Sequence, residues 1–179
     1  MLYNAFKKCV SIFFNTLNAL MGGNLPPFGC VSVVVEEQDR YLVVELPNGH
    51  VTLPGGFMRW GEHPRQAAKR EALEETGYLL EVGDMIGCYS CVSHKADRMS
   101  TITMAFRAKA VSGEPRGSIE GQPRWIDEQA LHERLSSHCR GIFNDYLRNR
   151  TQCNTANALP FVVSNQSCSL SGEFFIDDD

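Results

Sequence analysis

Three glutamates crowd one short stretch of the chain, Glu71, Glu74 and Glu75, with Arg70 immediately before them. On a helix, residues three and four apart share a face, so these carboxylates would stand together. Like charges at that spacing repel by about 0.2–0.5 kcal/mol per pair on an exposed helix, and Arg70 can relieve part of this by pairing with Glu74 one turn on. A hard divalent cation turns such a cluster into a binding site, because Mg²⁺ and Mn²⁺ prefer carboxylate oxygens. Gly55 and Gly56 come shortly before. Glycine permits a positive φ and a close backbone approach, so a loop of this kind can aim a main-chain carbonyl at a cation held by the helix. Ala68 and Ala72 are assigned to the opposite side of the helix, small enough to let it lie close to a sheet.

Other reactive side chains carry weaker signals. Cys88-x-x-Cys91 falls in an apparent strand, where its two thiols would point to opposite faces, and no second pair at ligand spacing completes a four-ligand zinc site. His94, with Lys95 and Arg98, follows a strand and can contact phosphate, although a solvated polar turn is the simpler reading. Trp60, beside Arg59, can stack on a base or pack beneath its own loop. Phe28 reads as core ahead of a stacking role.

The elements that must position these groups follow from periodicity and punctuation. Phe6, Val10, Phe13, Leu17 and Leu20 recur at helical spacing, and Gly22-Gly23 and Pro26-Pro27 end that helix. It reads as an appendage on the main domain, with a dimer contact or an interfacial helix left open. Cys30–Val35 and Tyr41–Leu46 read as a hairpin, followed by a turn at Pro47-Asn48-Gly49 and a short strand from His50 to Leu53. A helix is expected from Pro64 to Thr76, with Pro64 early and Gly77 at its C-terminal end. Leu79–Val82, Ile86–Ser93 and Ser100–Val111 are expected to be extended. A loop over 113–122 leads to a short strand at Arg124-Trp125-Ile126. One helix from about Asp127 to Asn149 would bury Leu131, Leu135, Ile142, Phe143, Tyr146 and Leu147. The remainder is polar, with apolar clusters at Phe161-Val162-Val163 and Phe174-Phe175-Ile176 that can dock as edge strands, and an acidic end at Asp177-Asp178-Asp179. The chain divides into an N-terminal helical extension (1–24), one main domain (25–150) and a polar C-terminal tail (151–179).

Composition bounds the partners. A chain of 179 residues, 43% hydrophobic and 21% charged, can bury a core without disulfides or structural zinc. The net charge of -4 argues against a broad nucleic-acid surface. Seven cysteines, an odd number, point to reduced thiols in a cytoplasmic setting. Lys7 and Lys8 precede an apolar run to Met21, in the order of a signal peptide, but Asn15, Thr16 and Asn18 interrupt it and no small-residue cleavage site follows. The run is also too short to span a bilayer, so a packed helix is expected.

The segment from Gly56 carries a resemblance. Gly56, five residues, Glu62, seven residues, then Arg70-Glu71-Ala72-Leu73-Glu74-Glu75-Thr76-Gly77-Tyr78 resembles the Nudix box at each of its fixed positions, with Ala72 and Tyr78 in its two hydrophobic slots. The order of strands and helices from about Leu25 to Asn149 is similar to that of the Nudix hydrolases. The N-terminal helix and the C-terminal tail lie outside the resemblance. It implies an α/β/α sandwich around a mixed β-sheet, and metal-dependent hydrolysis of the pyrophosphate bond in a nucleotide-like small molecule.

The resemblance further implies that Glu71, Glu74 and Glu75 ligate Mg²⁺ or Mn²⁺, with the Gly56 carbonyl as a further ligand, and that Arg70 orients those carboxylates. Glu62 would bridge loop and helix or hold metal through water. The proton acceptor is left between Glu75 and Glu120. The stretch from Gly113 to Trp125 looks like the loop of mutator-type nucleoside triphosphate pyrophosphatases, in which a glutamate reaches the metal; Glu120 stands there, set against a solvated loop carboxylate as the alternative. Arg59, Trp60 and His94 are the candidate substrate contacts. A catalytically silent Nudix-fold nucleotide-binding protein is the competing reading, and the intact box weighs against it. A prenyl diphosphate isomerase would need a cysteine and glutamate pair that is not apparent. Among substrates, nucleoside triphosphates or related nucleotide derivatives are favoured. Val92 and Ser93 stand in the region where the ADP-ribose branch often has a proline, and no coenzyme A signature is found. Homodimers are common in the family, so a homodimer is a possible assembly.

Overall fold

The structure is a computed structural model that describes residues 2–93, 95–153 and 163–164. Its elements in chain order are α1 (Leu2–Leu20), β1 (Phe28–Glu37), β2 (Arg40–Glu45), β3 (Val51–Thr52), β4 (Gly55–Phe57), α2 (Pro64–Thr76), β5 (Tyr78–Cys91), β6 (Thr101–Gly113), β7 (Gln122–Asp127), α3 (Glu128–Arg134), α4 (Ser137–Cys153) and β8 (Val163–Ser164).

The sheet runs β3-β2-β1-β6-β5-β8, with β4 added to β1 and β7 to β2. It is mixed. β1 and β6 are parallel, with Val31 beside Met104 and Val33 beside Phe106, whereas β5 and β6 are antiparallel. Strand β1 is apolar on both sides because both sides are covered. Val31, Val33 and Val35 pack with Ala67, Ala68 and Ala72 of α2, and Val34 packs in a second core with Leu131 of α3 and Ile142, Phe143 and Tyr146 of α4. The expected α/β/α sandwich is therefore present, with α2 on one face and the C-terminal helices on the other.

Several expectations are corrected in detail. The two extended segments after Gly77 are one strand, β5, whose register against β6 slips at Leu79/Leu80, Val82/Met85 and Met85/Gly87. The bulges let a long strand bend while it keeps its partner, which the sequence shows only as a break in alternation. The single helix expected from Asp127 is two. Leu135 is extended (φ -68°, ψ 140°) and bridges Val51, and the Ser136 hydroxyl then accepts the N–H of Cys139 at 3.3 Å. The apolar period survives the break because Leu131, Leu135, Ile142, Phe143 and Tyr146 all reach the same core.

Helix α1 forms as expected but turns a different side inward. Phe6, Phe13 and Leu20 are exposed, whereas Ser11 is buried and Phe14, Asn15, Leu17 and Asn18 are half-buried. Among the described residues no helix is long and apolar enough to cross a membrane. Of the tail, Val163–Ser164 pairs in parallel with Cys88 and Tyr89 at the sheet edge; Phe161, Val162, the cluster at Phe174 and the terminal aspartates lie outside the described residues.

Candidate functional site

Helix α2 starts where local chemistry requires it. The His63 ring accepts the Arg65 N–H at 3.2 Å while the Gln66 side chain accepts the His63 N–H at 3.3 Å, a reciprocal cap that satisfies two otherwise orphaned donors. It ends at Gly77, whose φ of +78° lies in the left-handed region. A side chain there would also meet the Glu114 carbonyl at 2.3 Å. The close approach brings the β6–β7 loop, with Glu120, back over the helix end, and the Arg116 N–H takes the Thr76 carbonyl at 2.9 Å.

The buried stripe of α2 is Ala67, Ala68, Ala72, Glu75 and Thr76. Glu75 thus belongs to the buried side next to the alanines, not to a face opposite them. The three glutamates form a gradient from core to solvent. Glu75 is 7% exposed, and the side chains of Glu71 and Glu74 are 15% and 48% exposed.

The glycine segment is a short strand, β4, paired antiparallel to β1 with Gly56 opposite Val31. Strand pairing holds this backbone rigidly against the acidic helix. Glu75 accepts the Gly55 N–H at 2.9 Å. The Glu71 carboxylate lies so close to Gly56 that an added Cβ would stand 2.6 Å from its Cδ. Only glycine leaves room for that carboxylate beside the main chain.

Arg70 ties the pieces together. It donates to Glu62 Oε1 and Oε2 at 2.8 Å each, to Glu71 at 2.7 Å, to Glu74 at 3.2 Å and to the Phe57 carbonyl at 3.0 Å. These bonds hold the Glu62 carboxyl down at about 2. Glu62 also accepts the Arg59 N–H at 2.9 Å, so it bridges the loop and the helix. The Arg59 guanidinium reaches Glu74 at 3.0 Å, a contact with no sequence signal beyond a nearby cation.

Burial raises the carboxyl pKa of Glu71, which Arg70 opposes and the charges of Glu74 and Glu120 reinforce. Burial raises that of Glu75 well above the ordinary range; the Gly55 N–H opposes it, and Glu120 and Glu71 add to it. Glu120, on the loop before β7, is half-buried and near enough to Glu75 for its charge to be felt there. The Glu120 N–H caps back onto the Ser118 hydroxyl at 3.1 Å, which sets the turn that carries it. The Cys30 thiol is pushed up to about 12 by burial, then by Glu71 and Cys91, so the start of β1 and the end of β5 share this corner.

The donor set fits a hard cation. Buried carboxylates gathered side by side favour the neutral form unless positive charge compensates them, and a divalent metal does so while bound to oxygen. Among the described residues no group of three His, Cys, Asp or Glu side chains forms a ready-made cage for a metal ion. Glu71 and Glu74 are turned to Arg70, and Glu74 also to Arg59.

The remaining sequence candidates separate. Trp60 is fully exposed, so packing beneath the loop is ruled out. His94 lies outside the described residues. Cys88 and Cys91 are both in β5 and are free thiols. Phe28 is half-buried between Phe14 and Phe57 and contributes to packing, as expected.

Fold and site define a class of protein: a mixed-sheet sandwich whose acidic helix faces a glycine strand across an arginine-centred network. The NUDIX domain family model matches residues 26–145. The chain is 34% identical over 116 residues to a "MutT-like protein" of Streptomyces ambofaciens, covering 62% of this chain and 72% of that one. It is 30% identical over 129 residues to an "ADP-ribose pyrophosphatase" of Methanocaldococcus jannaschii, covering 69% and 75%. Among solved structures, a NUDIX hydrolase from Nitrosomonas europaea superposes with a TM-score of 0.65 at 26% identity, covering 79% of this chain and 81% of that one. The chain belongs to the Nudix family, and its intact box places it among the family's pyrophosphohydrolases.

Proposed function

We propose that this protein hydrolyses the pyrophosphate bond of a nucleoside diphosphate linked to another moiety, with nucleoside triphosphates or related nucleotide derivatives as the favoured substrates. Glu71, Glu74, Glu75, Glu120 and the Gly56 carbonyl would hold Mg²⁺ or Mn²⁺. When bound, the metal supplies charge neutralisation for the phosphate oxygens and acidifies water. The observation that carries the reading is the acidic helix held against the glycine strand, where Glu75 accepts the Gly55 N–H at 2.9 Å and the Glu71 carboxylate lies directly against Gly56.

The chain's own residues would divide the work. Arg70 orients Glu71 and Glu74 and fixes the loop through the Phe57 carbonyl. Glu75 would accept a proton from the attacking water, with Glu120 as the alternative acceptor. Arg59 and the exposed Trp60 stand on the loop that would face the substrate, the first for phosphate and the second for a base. His94 is retained as a further substrate contact. The similarity to a protein named MutT-like supports the triphosphate reading, whereas the similarity to one named ADP-ribose pyrophosphatase keeps that substrate on the test panel.

The test is a panel of nucleoside triphosphates, dinucleoside polyphosphates, nucleotide sugars, ADP-ribose, NADH and coenzyme A with Mg²⁺ or Mn²⁺, with Glu74→Gln in parallel. Metal-dependent cleavage of one class that disappears in the variant is expected. Tight binding of one compound without any cleavage would instead indicate a nucleotide-binding protein.

A further inference from the structure

The N-terminal helix α1 precedes the residues matched by the family model and turns only part of its apolar surface, Val10, Phe14 and Leu17, toward the domain. A helix that attached only to bury hydrophobic surface would turn Phe6, Phe13 and Leu20 inward. Those three are 66%, 63% and 82% exposed, and Asn15 faces the domain beside Phe14. The Asn15 side-chain amide donates to the carbonyls of Ala96 at 2.6 Å and Arg98 at 2.9 Å, with that of Lys95 at 3.4 Å. An amide nitrogen carries two hydrogens, so the two shorter contacts use its full donor capacity. All three carbonyls belong to the turn between β5 and β6.

The neighbouring residue reaches the box loop. The Phe14 ring meets Phe28 edge-on at 4.9 Å, and Phe28 meets Phe57 edge-on at 6.1 Å. Phe57 directly follows Gly56, and its carbonyl is the one that Arg70 grips. The start of β1 links the turn to the box loop, because the Phe28 N–H donates to the Ser100 carbonyl at 3.0 Å and the Gly29 carbonyl accepts the Met58 N–H at 2.9 Å.

We infer that α1 is a positioning element of the active site: Asn15 and Phe14 lock the β5–β6 turn and the box loop into one frame that sets how tightly the polyanionic substrate is held. The turn carries the exposed Lys95, with Arg98 buried beneath it, and the box loop carries the exposed Arg59 and Trp60. Without the helix the two cationic segments move independently, and the substrate must bear the entropy of ordering them. On the proposed mechanism the chemical step falls to α2 and Glu120, which α1 reaches only indirectly through Phe57, so the main effect is expected on affinity and the smaller one on turnover. The kinetic part of this inference rests on the hydrolase reading above.

Asn15→Asp tests it, because a carboxylate of the same shape cannot donate to carbonyls. KM is expected to rise about tenfold with kcat within about twofold of wild type. Amide hydrogen exchange at 95–100 and 57–60 is expected to accelerate in both segments together. Phe14→Ala should do the same and Phe14→Leu should largely restore KM, whereas Phe6→Ser on the outer face should change neither readout. An unchanged KM, or a fall in kcat alone, overturns the inference. If Asn15→Asp does not fold, the Phe14 pair carries the same comparison. If the wild-type protein cleaves nothing on the panel, the hydrolase reading fails by itself. The exchange measurement then decides the brace: acceleration in both segments upholds it, and no change, or change in one alone, overturns it.

Discussion

The Glu75 carboxylate accepts the backbone N–H of Gly55 at 2.9 Å, across twenty residues of chain. This bond joins the acidic helix to the glycine strand from below, while Arg70 joins them at the surface through the Phe57 carbonyl. The site is therefore clamped on both sides before any ligand arrives, and each clamp can be tested separately.

Replacing Glu75 by Gln should separate stability from activity. The amide keeps an acceptor for Gly55 and removes one of two packed like charges. A carboxyl whose folded pKa is raised costs stability that is complete at pH above the folded value, shrinks as pH falls toward the unfolded value and is gone below it. At neutral pH the metal-free variant should melt about 2–4 °C higher per kcal/mol of burial and repulsion penalty removed, while hydrolysis falls by about a hundredfold or more. Melting curves with and without Mn²⁺ check this: the metal should stabilise the wild-type protein more than the variant. A lower melting temperature in the metal-free variant would refute the like-charge account.

Gly56→Ala should cost activity rather than stability. The new methyl would collide with the Glu71 carboxylate, the mobile end of a side chain, so the fold can yield by moving that carboxylate. If Glu71 holds the metal as proposed, displacing it in this way is expected to lower metal affinity or turnover by about 10–100-fold, with melting within a few degrees of wild type. Mn²⁺ titration alongside steady-state kinetics measures both quantities.

Gly77→Ala should cost both. Its φ of +78° disfavours a side chain, and the obstacle is the Glu114 backbone, which cannot swing aside. A loss of about 1–3 kcal/mol is expected from strain of this kind. Because the displaced loop also carries Glu120, kcat should fall in the fraction that remains folded. Denaturant unfolding and kinetics on the same preparation test the two effects together.

Glu62 gives a pH signature. Hydrogen bonds from Arg70 hold its folded carboxyl at about 2, below the ordinary value near 4.5. A depressed carboxyl contributes stability that is fully present above the unfolded value and is lost as pH falls through the folded one. The stability difference between wild type and Glu62→Gln should therefore be constant above about pH 5 and shrink between about pH 4.5 and 2. A difference that does not change across that window would show that Glu62 is not held by charge.

Trp60→Ala should leave the melting temperature unchanged, since the ring touches solvent on all sides. If the ring stacks on the substrate base, KM should rise by the equivalent of about 1–3 kcal/mol. The effect should be larger for purine than for pyrimidine nucleotides, which a comparison of the two series measures.

How much of this was legible beforehand depends on the range of the interactions involved. The bounds of α2 follow from Pro64 and Gly77, because caps and positive-φ positions are decided by a few adjacent residues. The carboxylate cluster was equally legible, since helical spacing alone puts Glu71, Glu74 and Glu75 near one another. The strand character of Gly55–Phe57 was not, because glycines have little strand propensity and only pairing with β1 makes them extended. The break at Leu135 was not, because it comes from a bridge to Val51 that no helical period predicts.

The sequence by itself determined the family, the order of elements and the acidic helix, all of which rest on local spacing and residue type. Tertiary structure alone decided that Glu75 is buried beside the alanines, that Glu120 returns to meet it, and that α1 turns Asn15 rather than Phe13 inward. Each of these depends on contacts between residues far apart in the chain. Periodicity says which residues share a face of an element, and only packing says what that face will meet.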